Sequence, residues 1–211
     1  GARYQNEAFS ATGAIFYSDL SDFIVPDNLG TGFEEFEGGE TVVIDDGPND
    51  GEISALGLEL QLGYDFGAAN GAGYSLPVTF GITLTKAEFE SGASSADGAS
   101  IFSGARPGNT VPYVPEVQFH VGVGLDAGKY RIALDGTYVG DTNASGANGS
   151  GPYNHSGAYD SRYGEVPGYF IADLTVQYQL TDNTKVFATA RNLFDEQYVV
   201  GRLPQGARPG M

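Results

Sequence analysis

From Leu56 to Phe66 the sequence alternates without a break, with Leu56, Leu58, Leu60, Leu62, Tyr64 and Phe66 on one parity and Gly57, Glu59, Gln61, Gly63 and Asp65 on the other. A side-chain period of two belongs to a β-strand and to no helix, so this stretch is read as a strand with one apolar face. The pattern recurs. Leu76, Val78, Phe80, Ile82 and Leu84 alternate with Pro77, Thr79, Gly81, Thr83 and Thr85, and Val117 to Leu125 repeats the alternation. Tyr130 to Val139 and Phe170 to Leu180 follow the same rule, and Lys185 onward continues it after the turn Thr181-Asp182-Asn183-Thr184. A longer stretch, Ala8 to Val25, reads as a strand with imperfect alternation. Seven strands result.

The connections between them also alternate. They are long (26–51), short (67–73), long (91–112), short (126–129), long (141–164) and short (181–184), followed by an open-ended loop from Gly201. Short turns on one side and long loops on the other are the pattern of a transmembrane β-barrel. The second parity supports the same reading. A soluble sandwich would meet bulk water there with Lys, Glu and Arg, whereas this parity carries Gly, Thr, Gln and Asp with few Lys, which suits a crowded polar lumen. Aromatics fall toward strand ends, at Tyr64, Phe66, Tyr130, Tyr138, Phe170 and Tyr178, as interfacial girdles require.

Composition narrows the classes further. The 32 Gly, 13 Tyr and 13 Phe favour strands and turns over helices. A net charge of −17 repels a phosphate backbone, so no nucleic-acid partner is expected. With no cysteine, neither a disulfide framework nor a thiolate metal site is available. No run of about 18 apolar residues exists, and a barrel needs none. The chain opens on Gly1 without a signal peptide, from which a processed or partial piece of a longer protein is expected.

One stretch near the end carries a resemblance. Ala190-Arg191-Asn192-Leu193-Phe194-Asp195-Glu196-Gln197-Tyr198 resembles the penultimate strand of the TonB-dependent outer-membrane receptors, in which an RNLFD..Y segment closes the last upward strand. More loosely, Phe16 to Val25, Glu52 to Tyr64 (through Gly57, Glu59 and Leu60) and Val111 to Leu125 (through Pro112 and Pro115) resemble other strands of that family. The resemblance implies the C-terminal portion of a large plugged barrel of 22 strands in the bacterial outer membrane, with the plug domain and the final strand outside this sequence. It further implies import of a scarce nutrient, a ferric siderophore or other iron chelate, with outer-membrane lipid, lipopolysaccharide, a TonB complex reached through a more N-terminal part, and the chelate itself as partners. A passive porin-like or structural outer-membrane barrel and a soluble β-sandwich binding module are the competing readings.

Ligand contacts are expected in the outer loops, where a chelate with anionic oxygens favours Arg and Tyr donors. The candidates are Arg106 in the second long loop, Tyr153, Tyr159, Arg162 and Tyr163 in the third, and Arg202 and Arg208 in the last. No catalytic residue, cofactor or metal is expected: His155, Ser156 and Asp160 are too close in sequence to make a triad, and the acidic loop 26–51 lacks calcium-loop spacing. That loop could face lipopolysaccharide bridged by divalent ions. Three N-x-S triplets, at Asn143, Asn148 and Asn154, read as a polar loop.

Overall fold

The computed structural model describes residues 1–23, 51–91, 101–102, 104–154, 157–203 and 206–210. The acidic loop, His155 and Ser156 lie outside the described residues. The elements are β1 (Ala2–Gln5), β2 (Phe9–Phe23), β3 (Gly51–Asp65), the single helical turn α1 (Phe66–Ala69), β4 (Pro77–Phe89), β5 (Val117–Ala127) and β6 (Tyr130–Val139). They continue with β7 (Thr142–Asn143), β8 (Glu165–Val166), β9 (Tyr169–Thr181), β10 (Thr184–Ala190), β11 (Val199–Gly201) and β12 (Arg208–Pro209).

Eight of these form one antiparallel sheet in the order β1-β2-β3-β4-β5-β6-β9-β10, in which β7 and β8 are passed over and pair with each other. The fold is all-β, as the alternation requires. β1 was not among the seven strands expected. Its four residues are too few to display a period, and a hairpin makes it: the Asn6 Oδ1 accepts from the Ala8 and Phe9 N–H groups at 3.0 and 2.7 Å.

Register aligns the apolar parities across the sheet. Gly13 pairs with Leu60, Leu60 with Ile82, Ile82 with Phe119, Phe119 with Tyr138, and Tyr138 with Phe170. The rung beside it is polar or small, running through Gln61, Gly81, His120 and Thr137. A one-residue slip anywhere would mix the two faces.

The apolar face stays open. Leu56, Leu134 and Val123 are all more than two-fifths exposed, and Phe89 is the only large side chain fully buried among the described residues. A continuous exposed apolar sheet of this extent is untenable in water and suited to hydrocarbon. Among the described residues no second sheet packs against it, which overturns the sandwich reading.

Aromatic side chains mark two levels of that face. On the side of the short turns, Tyr64 and Phe66 meet edge to face at 4.7 Å and Tyr130 lies 4.9 Å from Tyr178. Toward the long connections, Phe119 stacks on Tyr138 at 5.0 Å and lies 6.4 Å from Phe170. Tyr130 and Tyr138 are eight residues apart on β6, about 27 Å along the strand and roughly 20 Å along the barrel axis at the usual tilt. That height matches an apolar membrane band.

The stretch after Ala190 is a correction. Sequence resemblance placed Ala190 to Tyr198 on a strand, but β10 ends at Ala190 and the chain turns. Asn192 and Asp195 both have left-handed backbone, with φ of 50° and 53°. The Asn192 side chain closes the turn by donating to the Glu196 carbonyl and accepting from its N–H, both at 2.9 Å. Its own N–H reaches the Asp173 carboxylate at 2.8 Å, so Asp173 on β9 stops the ladder. Asn tolerates left-handed φ better than other side-chain-bearing residues, which explains its place in the motif.

Candidate functional site

The outer ends of the strands carry a layer of folded connections. β4 extends beyond the apolar band to Phe89, which has the same parity as Thr79 and Thr83 and therefore belongs to the polar face. The β4–β5 connection folds back over it: Phe89 is fully buried beside Ala105, with Ile53, Phe102 and Val111 packed around them. This connection thus lies on the lumen side of the wall.

The β6–β9 connection is tied to the first. Asn148, left-handed with φ 53°, accepts from the Thr110 N–H and hydroxyl at 2.6 and 3.1 Å and donates to the Thr110 carbonyl at 3.0 Å. Asn109 donates to the Gly146 carbonyl at 2.6 Å, Asn143 donates to the Thr110 hydroxyl at 3.0 Å, and the Gly146 N–H reaches the Ile101 carbonyl at 2.7 Å. Although this connection is polar in sequence, Ala144 and Ser145 are buried and β7 pairs with β8 at its base. The N-x-S triplets at Asn143 and Asn148 are explained by these contacts.

The seven candidate residues separate into groups. Tyr153 and Tyr159 form a bridge at the tip of the β6–β9 connection, 59 % and 73 % exposed, with rings edge to face at 6.4 Å. Asp160 closes that hairpin: its N–H donates to the Pro152 carbonyl at 2.7 Å, and its carboxylate accepts from the Arg162 guanidinium at 2.6, 3.0 and 3.1 Å. Hydrogen bonding from Arg162 holds the Asp160 carboxyl below the usual carboxylate range. Arg106 is exposed on the β4–β5 connection and makes no side-chain hydrogen bond or ion pair among the described residues. Tyr163 is buried.

Arg202 and Arg208 are turned to backbone. The Arg202 guanidinium donates to the carbonyls of Glu165 and Ser161 at 2.8 and 3.2 Å, and Arg208 donates to the Leu203 carbonyl at 2.9 Å. Arg162 and Arg202 therefore converge on the 160–165 stretch, whereas Arg106 makes no hydrogen bond or ion pair to it among the described residues. Sequence reasoning passed over Tyr113, whose hydroxyl accepts from the Arg202 and Leu203 N–H groups at 3.2 and 3.0 Å. An aromatic beside Pro112 carries no signal of a partner 89 residues away.

The Asp160–Arg162 tether has a pH signature. A lowered folded-state pKa contributes stability that is present at neutral pH and is lost as pH falls through that pKa, below the ordinary Asp value of about 3.9. Hydrogen exchange of the 157–163 backbone, corrected for intrinsic rates, should be flat from pH 8 to 5 and accelerate only in stronger acid. Asp160→Asn should abolish that acid-sensitive step.

The barrel wall, its apolar outer face and its folded outer connections now admit comparison with known proteins. The family model described as TonB dependent receptor-like, beta-barrel, matches residues 1–193. The chain belongs to that family. It is an outer-membrane β-barrel chain of Gram-negative type, and its strands are those of a TonB-dependent receptor barrel. No curated protein matches the sequence. Among solved structures it is similar to the ferric citrate transporter FecA, with a TM-score of 0.68 and 19% identity over 99% of this chain and 28% of that one. It is similar to the siderophore receptor PiuA from Acinetobacter baumannii, with a TM-score of 0.66 and 17% identity over 98% of this chain and 25% of that one. It also resembles the ferric yersiniabactin uptake receptor FyuA from Yersinia pestis, with a TM-score of 0.63 and 19% identity over 98% and 26%. The chain thus spans about a quarter of the length of the structures it matches. At these identities the likeness is one of fold.

Proposed function

We propose that the protein containing this TonB-dependent barrel chain imports a ferric siderophore or another iron chelate across the outer membrane. A plug and a TonB-contacting segment come from a more N-terminal part, and lipopolysaccharide contacts the outer rim. The observation that carries the reading is the family membership of residues 1–193, and the iron-uptake structures among its neighbours point to the cargo class. The inward fold of the β4–β5 connection over Phe89 favours a gated importer over an open pore.

Within that reading, Arg106, Tyr153, Tyr159 and Arg162 contact the ligand, and Tyr163, Arg202 and Arg208 hold the loops that present them. Tyr153 and Tyr159 set two ring planes at 88°, a corner in which a flat ligand stacks on one ring and meets the other at its edge. Replacing both by Ala should weaken chelate binding by full-length protein about tenfold, equivalent to about 1.4 kcal/mol, without changing barrel stability. Growth of a deletion strain under iron limitation tests the cargo. Unimpaired growth on every ferric chelate supplied would remove iron from the reading.

A further inference from the structure

We propose that Tyr113 is a latch between the β4–β5 connection and the Val199–Leu203 stretch, so that this side of the outer layer opens when the two hydrogen bonds to its hydroxyl break together with those of the Arg202 guanidinium. Three features of the geometry meet at this residue.

The first is its backbone. Tyr113 has φ 61°, left-handed and uncommon for a bulky side chain. Such a conformation is strained and persists only where its surroundings impose it. Here its N–H is held by the Asn143 carbonyl at 3.2 Å, while its hydroxyl is held by the Arg202 and Leu203 N–H groups.

The second is the contrast between the two joints of the layer. The β4–β5 and β6–β9 connections share the Asn148, Asn109, Asn143 and Gly146 hydrogen bonds and the contact of Gly146 with Ala105. Those features make one firm plate. Val199–Leu203 instead meets that plate through the Tyr113 hydroxyl, the Arg202 guanidinium on the Ser161 and Glu165 carbonyls, and the buried Leu203. Among the described residues, the side-chain hydrogen bonds of this joint are the four made by the Tyr113 hydroxyl and the Arg202 guanidinium.

The third is bistability. Release of Val199–Leu203 hands the Arg202 guanidinium and the Arg202 and Leu203 N–H groups to water and removes one of the two contacts that hold Tyr113 at its left-handed φ. The strain held in the closed state offsets part of the cost of opening. A local element poised in this way belongs to the low-stability part of a fold. The latch is independent of the cargo, so its failure and that of the iron reading are separable.

The test uses the full-length protein. This chain has no cysteine, so spin labels on cysteines introduced at the exposed Pro107 and Ala207 report the joint by pulsed dipolar spectroscopy. The parent protein should give one narrow distance distribution, and Tyr113→Phe, which removes only the hydroxyl, should at least double its width or add a longer distance. An unchanged distribution in Tyr113→Phe would overturn the latch. Hydrogen exchange on the unsubstituted protein is a second measure that requires no variant to fold. The Arg202 and Leu203 amides should exchange at least tenfold more slowly than that of Ala207, and equal rates would overturn it as well.

Discussion

Leu134→Arg will cost about 2–4 kcal/mol of barrel stability in a lipid bilayer, whereas Asp135→Arg, one residue along β6, will cost about 0.5 kcal/mol or less. Leu134 sits midway between Tyr130 and Tyr138 on the apolar face, opposite Val123 on β5 and Leu174 on β9, and is 44 % exposed among the described residues. A guanidinium there must be buried in hydrocarbon or distort the bilayer. Asp135 points to the other face, 3.4 Å from His120 and directly across from Asp173, where a new cation meets water and an acidic neighbour. Urea-dependent refolding of the full-length protein into lipid vesicles measures both. Equal costs would mean that the two faces have been assigned the wrong way round or that this sheet does not meet lipid.

The same contrast explains what could be read from the sequence. Strands β3 to β6 and β9 were legible because membrane on one side and lumen on the other impose a strict parity, and the parity survives in register across every pair. Features set by contacts between distant residues were not. Asn148 looks like any residue of a Gly- and Ser-rich loop until Thr110 is found beside it. Tyr113 looks like a strand-flanking aromatic until its hydroxyl meets Arg202. Arg202 and Arg208 have the residue type expected of ligand donors, yet their guanidinium groups are turned to backbone carbonyls, a preference the sequence does not encode locally. The Asn192 turn shows the converse. Its wording identified the family through resemblance, while its shape depends on two left-handed residues and on Asp173 nineteen positions earlier.

Asp65 supplies the other large effect, at the opposite end of the barrel wall. The alternation placed it on the polar parity of β3, and 67–73 read as a compact turn, but the carboxylate organises that turn. Its Oδ1 accepts from the Gly67, Ala68 and Leu76 N–H groups at 2.9, 3.1 and 2.9 Å, and its Oδ2 accepts from the Ser75 hydroxyl at 2.5 Å. It therefore caps α1 and grips the chain as it returns to β4. The turn has no slack to compensate, because a Cβ added at Gly67 would fall 2.0 Å from the Tyr74 carbonyl oxygen. Charge-assisted bonds to backbone are stronger than neutral ones, so Asp65→Ala, which removes all four, should lower the urea midpoint of refolding well below the parent's, though by less than four full bonds would because water reaches part of this site. Asp65→Asn retains an oxygen for the three N–H groups and gives up the charge, so its cost should be the smaller of the two. In the vesicle refolding assay the order should be parent, Asp65→Asn, Asp65→Ala. If Asp65→Ala refolds with the parent's midpoint, the helical turn rather than its cap sets the geometry of this hairpin.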